Sequence, residues 1–150
     1  MLEVFLTSGF TVLFVCLIYK MNFFRLEGFS KNIIACLYLI KLCAGIGLTL
    51  LYTYYYTDRQ ASDIYKYFDD GEIIYHTFVT SPLHYFQIIF GINTESQPLK
   101  EILETTNYWF KPYESVIYND NRTIIRFNAL VRTFSFGSIG VHTAVMCFLS

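Results

Sequence analysis

The sequence predicts an all-α membrane protein. It would have two full transmembrane helices, an exoplasmic loop of short amphipathic helices, and the start of a third transmembrane helix. Three observations carry this. Of the 150 residues, 54% are hydrophobic and only 15% charged, against about 25% charged in an ordinary soluble domain. Two apolar runs near the amino terminus are each about long enough to span hydrocarbon. From residue 57 onward, apolar residues recur in short helical patterns punctuated by Pro and Gly.

The first run, Leu2 to Tyr19, has one charge, Glu3, at its end. A cleaved signal peptide needs a basic segment before the apolar run and a small-residue cleavage site. Here Lys20, Arg25 and Lys31 follow the run, so a retained span over residues 2–19 is expected. The loop of residues 20–31 sets those three basic residues against one acid, Glu27. The positive-inside rule places it in the cytoplasm. The second span, residues 32–56, is interrupted only by Lys41. That lysine either snorkels or pairs inside a bundle, or else faces a polar cavity. Gly45 and Gly47 suit close helix packing. Tyr52, Tyr54, Tyr55 and Tyr56 suit an aromatic belt at one interface.

Residues 57–137 then face the exoplasm. Thr57 and Gln60 have capping-box spacing, so a helix is expected to begin there. Ser81, Pro82 and Gly91 read as the cap, opening and stop of another helix, and Pro98 opens a third. The cluster YNDNRT at 118–123 reads as a turn. These short helices, rich in Tyr, Phe and Ile, are expected at the membrane interface. In the last helix Ile124, Phe127, Val131 and Phe134 share one face, while Arg126, Asn128 and Arg132 are polar. Gly137 breaks it. Residues 138–150 are apolar but too short to span. They read as the start of a third span, which would make the chain an amino-terminal fragment of a longer polytopic protein.

Composition excludes some functions. The net charge of −1 and a pI near 6.3 leave no basic footprint for nucleic acid. A mean hydropathy of +0.39 is high for a soluble domain and low for a full transporter, so part of the chain should be wet. Cys16, Cys36, Cys43 and Cys147 lie in apolar runs without metal-binding spacing and are read as buried small hydrophobes.

The candidate chemistry lies in SDIYKYFDDG, residues 62–71. On a helix, Asp63, Tyr67 and Asp70 share a face at i, i+4 and i+7. Lys66 can pair with either acid. A solvated, salt-bridged helix turn is the plain reading. A carboxylate at a membrane surface among aromatics can also be partly desolvated, which raises its pKa toward that of a general base. It could accept a proton from a hydroxyl or steady an oxocarbenium ion. Arg126 and Arg132 are candidate contacts for a donor phosphate. His84, Trp109 and Tyr113 could line or stack on a sugar. No cofactor is firmly implied. A divalent metal could sit among Asp63, Asp69, Asp70 and Glu72, but nothing fixes a ligand geometry.

The order of these features resembles the amino-terminal part of polytopic GT-C type membrane glycosyltransferases, which use polyprenyl-phosphate-linked sugars. The likeness rests on a short first span, a second span ending in tyrosines, and Asp63-x-x-x-Tyr67-Phe68-x-Asp70-Gly71. The closing segment RFNALVRTFSFGSIGVHTAVMCFLS adds to it. Where the family-like pattern has Gly, this chain has Ser62. The resemblance implies a catalytic acid in the first exoplasmic loop: Asp63 first, Asp70 second, with Asp69 near the substrate. It implies membrane lipid and a lipid-linked sugar donor as partners, and a bacterial inner membrane location. A surface-polysaccharide polymerase relying more on arginine, and a non-catalytic membrane subunit or transporter fragment, are the alternatives.

Overall fold

The computed structural model describes residues 1–56, 59, 62–110 and 121–150, and of Asp63 the backbone alone. The described chain is all-helical and contains no strand. It divides into two compact units, Met1–Tyr55 with Ser135–Ser150, and Tyr56–Phe134.

In the first unit, helices α1 (Leu2–Lys20) and α2 (Lys31–Tyr54) lie within two residues of the expected spans. Both are long and apolar enough to cross a membrane. Only 11% of the apolar window of α1 and 17% of that of α2 is buried. Their apolar side chains therefore point mostly outward, the reverse of a core helix in a water-soluble domain. Polar contacts close the turn between them. Lys31 Nζ donates to the carbonyls of Tyr19 (2.6 Å) and Met21 (2.9 Å), carbonyls that the end of a helix leaves without an intrahelical donor. Ser30 caps α2 by accepting from the N–H of Ile33.

Helix α7 (Ile139–Leu149) packs against both α1 and α2. Glycines set the approach. A Cβ on Gly45 would meet Thr143 Cγ2 at 2.8 Å, and one on Gly140 would collide with Thr7 Oγ1. Phe148 stacks on Phe14 with ring centroids 4.4 Å apart. Lys41 donates to Ser150 Oγ at 2.9 Å, which favours pairing within the bundle for this lysine. Three of the cysteines, Cys16, Cys36 and Cys43, are exposed rather than buried, and all four thiols are free. Helices that are apolar all round carry no pattern to say which side faces in.

In the second unit, α3 (Asp63–Thr80) and α4 (Pro82–Phe90) pack together across the single residue Ser81. Pro82 opens α4, and Gly91 ends it in the left-handed region at φ +72°, a conformation glycine adopts without steric cost. Helix α5 (Gln97–Glu104) follows Ser96 with Pro98 in its first turn. Helix α6 (Asn121–Ser135) completes the set. Ile74, Tyr85, Ile88, Leu99, Leu103 and Ile125 form the core.

Three local expectations change. The helix expected from Thr57 begins at Asp63, and Thr57 and Gln60 themselves lie outside the described residues. Asn121, Arg122 and Thr123 form the first turn of α6 rather than a loop. Helix α6 is amphipathic, but part of its polar side faces inward, beside the buried Ile125 and Ala129. Asn128, Arg132 and Ser135 are buried, while Ile124, Phe127 and Phe134 are exposed and Val131 joins the buried side. The cause lies in α3. Gly71 has no side chain, so α3 approaches α6 closely: a Cβ there would lie 3.0 Å from Ala129 N and 3.1 Å from Asn128 Cβ. That approach brings Glu72 to Arg132.

Candidate functional site

The acids singled out in the sequence sit on α3, and their environments separate them. Asp63 opens the helix; its side chain lies outside the described residues. Asp70 is 0% exposed. Its Oδ1 accepts the backbone N–H of Asn107 (2.9 Å) and that residue's side-chain amide (3.1 Å), and its Oδ2 accepts the N–H of Tyr108 (2.8 Å). Both oxygens are thus engaged in pinning α3 to the segment after α5. The second candidate base has no surface to offer a substrate, and its geometry is that of a positioning residue.

Asp69 is held by Arg59 in a two-pronged contact, with Nε at 2.8 Å and Nη2 at 2.6 Å. The hydrogen bond to Asp69 also pushes the Arg59 pKa up, stabilising the charged guanidinium. Arg59 lies over the Tyr65 ring at 4.0 Å. Tyr67, one turn before Asp70, shares a hydrogen bond with Asn121 Oδ1 at 3.1 Å, its hydroxyl donating. Lys66 sits over the ring of Tyr108 at 5.2 Å.

The two arginines named as phosphate contacts differ in kind. Arg132 is almost wholly buried. It pairs with Glu72 (2.9 Å), donates to the Phe68 carbonyl (3.4 Å) and lies over the Phe68 ring at 4.2 Å. Burial disfavours its charge, and Glu72 and Asp69 offset part of that. Its cation is engaged inside the unit. Arg126 is half-buried, with its guanidinium 5.0 Å from the Trp109 ring and packed against Gly91. Among the described residues no carboxylate pairs with it, and its buried Nε has no acceptor. Burial, then the like charge of Arg122 one turn away, lowers its pKa. Burial of this guanidinium disfavours its charged form.

No family model, curated protein or solved structure matches the chain.

The remaining candidates are placed by their burial. Trp109 is 1% exposed and is a core residue. It cannot stack on a sugar, because its ring is packed in the interior with Arg126 and Arg122 beside it. His84 lies half-buried on α4. Tyr113 is outside the described residues. Among the described residues, no group of three or more His, Cys, Asp or Glu side chains is arranged to hold a metal ion. The structure adds Arg59 and Glu72 as the partners of Asp69 and Arg132, and Asn107 as the partner of Asp70. Gly71 was the legible hint: a glycine inside a helical pattern marks a close backbone approach.

Proposed function

We propose that the chain belongs to a polytopic membrane enzyme that moves a sugar from a polyprenyl-phosphate carrier to an exoplasmic acceptor. The observation that carries this reading is Arg126, a half-buried guanidinium with no acid partner among the described residues, in a unit joined at both ends to apolar helices. A lipid-linked phosphate supplies the missing anion and arrives from the membrane side. Asp63 is the general base in this reading, since Asp69, Asp70 and Glu72 are committed to internal partners. Asp70 positions α3, and Arg132 holds α3 to α6. Residues 57–137 would face the exoplasm of a bacterial inner membrane, as the charges of residues 20–31 favour.

The test measures glycan product in membranes carrying the intact protein. Asp63→Asn is expected to lower turnover about 10²–10⁴-fold, the usual contribution of a general base. Arg126→Gln is expected to lower it about 10–100-fold through loss of a charge-assisted contact. Unchanged product at normal expression for Asp63→Asn removes that residue from the mechanism. A larger loss at Arg126 than at Asp63 favours the arginine-dependent polymerase, a reading supported by the engagement of every described acid on α3.

A further inference from the structure

Helix α6 is apolar on two sides: it buries Ile125, Ala129 and Val131, and a second apolar stripe points outward, where a helix of a water-soluble domain is polar. Its outward side shows Phe127, Leu130 and Phe134, 40%, 39% and 59% exposed, while Asn128 and Arg132 are inside. Helix α4 behaves alike: Leu83, Phe86 and Phe90 are 67%, 47% and 70% exposed. Between Pro82 and Phe90 there is no charged side chain apart from the titratable His84. Helix α5 is the opposite. It buries Leu99 and Leu103 and exposes Lys100, Glu101 and Glu104. The sequence put α4 and α5 at the interface and read α6 as amphipathic; the structure gives α4 and α6 apolar outer faces and α5 a charged one.

We propose that the second unit seats on the lipid bilayer through the outward apolar stripes of α4 and α6, with α5 turned to water. The occupant is lipid rather than a protein for two reasons. First, the unit is tethered at both ends to the unit that carries α1 and α2: residues 55–62 join α2 to α3, and residues 136–138 join α6 to α7. At about 3.5 Å per residue the shorter connection reaches about 10 Å, so the effective concentration of bilayer at the unit is high. Second, the six side chains are all aliphatic or aromatic. They offer hydrophobic area but no polar group to fix the register of a protein partner, which is what an in-plane helix presents to the headgroup–acyl boundary. The proposal rests on α1 and α2 being membrane spans and is independent of the sugar-transfer chemistry.

The experiment places single cysteines in the chain with Cys16, Cys36, Cys43 and Cys147 changed to Ala. Sites are Phe86→Cys, Leu130→Cys, Glu104→Cys on α5, and Val12→Cys on α1, each labelled with bimane. The protein is reconstituted in phosphatidylcholine vesicles containing doxyl-labelled lipid, and aqueous iodide is the second quencher. The expected result is lipid quenching at 86 and 130 about threefold or more above that at 104, greatest for doxyl groups near the headgroup end, as for a helix ~5–10 Å deep. Strong lipid quenching at 12 with 86 and 130 resembling 104 overturns the proposal and leaves the spans standing. Shielding of 86 and 130 from both quenchers overturns it in favour of a protein partner. Absence of lipid quenching at 12 overturns the membrane reading and this proposal with it. Leu83→Cys and Phe127→Cys, also exposed, replace either site if its variant does not fold.

Discussion

The carboxylate of Asp70 is expected to hold the second unit together, and its removal gives a measurable loss of stability. Asp70→Ala deprives three N–H donors of their acceptor: two from Asn107 and one from Tyr108. Each buried donor left unpaired costs about 1–3 kcal/mol. Asn107 is exposed enough for water to reach its donors, which puts them at the low end, while Tyr108 is more enclosed. Removing the carboxylate also returns part of its own desolvation cost. The net loss is expected to be about 3 kcal/mol. Asp70→Asn keeps an oxygen for Asn107 but turns an amide donor toward the Tyr108 N–H, so about 2 kcal/mol is expected. The assay is urea unfolding in detergent followed by the fluorescence of Trp109, the only tryptophan, buried in the same unit. A midpoint for Asp70→Ala equivalent to less than about 0.5 kcal/mol of change would refute the structural role, since surface substitutions give that much. A fall in sugar transfer far beyond the loss of folded protein for Asp70→Asn would return Asp70 to the chemistry.

Further outcomes follow from single contacts. Gly71→Ala is expected to destabilise by about 1–2 kcal/mol. The helix-propensity gain of about 1 kcal/mol is outweighed by a Cβ pressed against the α6 backbone, and thermal unfolding reads the sign. Ser138→Ala removes the Oγ that accepts the Val141 N–H at 3.2 Å, and should cost about 1 kcal/mol in the unfolding of the first unit. Arg126→Met trades an unpaired half-buried charge for apolar volume and gives up the contact with Trp109. Stability is expected to stay within about 1 kcal/mol of the parent, while, on the proposed function, turnover falls about 10–100-fold as for Arg126→Gln. A cost above about 2 kcal/mol would make Arg126 a structural residue instead.

Much of the helical plan was legible because it depends on local signals. Ser81, Pro82 and Gly91 bounded α4 correctly, since a fixed φ at Pro82 and a left-handed stop at Gly91 act within a few residues, although the Ser81 hydroxyl makes no cap hydrogen bond. The start of α3 and the first turn of α6 were misread. Asn121 carries a side chain suited to a turn, and tertiary packing put it in a helix instead; Thr57 lies outside the described residues. For the candidate site, the face shared by Asp63, Tyr67 and Asp70 followed from helical spacing. That Asp70 would be sealed by Asn107 and Tyr108, thirty-seven and thirty-eight residues away, could not.

By itself the sequence determined that the chain is helical, that two runs are long and apolar enough to cross a membrane, and where several helices stop. Those properties follow from composition, periodicity and local backbone chemistry. Only the tertiary structure decided which side of α6 faces in, which acid is buried, and which arginine has no acid partner among the described residues. The facing of α6 depends on Gly71 admitting its backbone and on Glu72 reaching Arg132 across 60 positions of chain, and the sealing of Asp70 on Asn107 and Tyr108. A pattern of polar and apolar residues fixes two faces of a helix; the neighbours it meets decide which one becomes the interior.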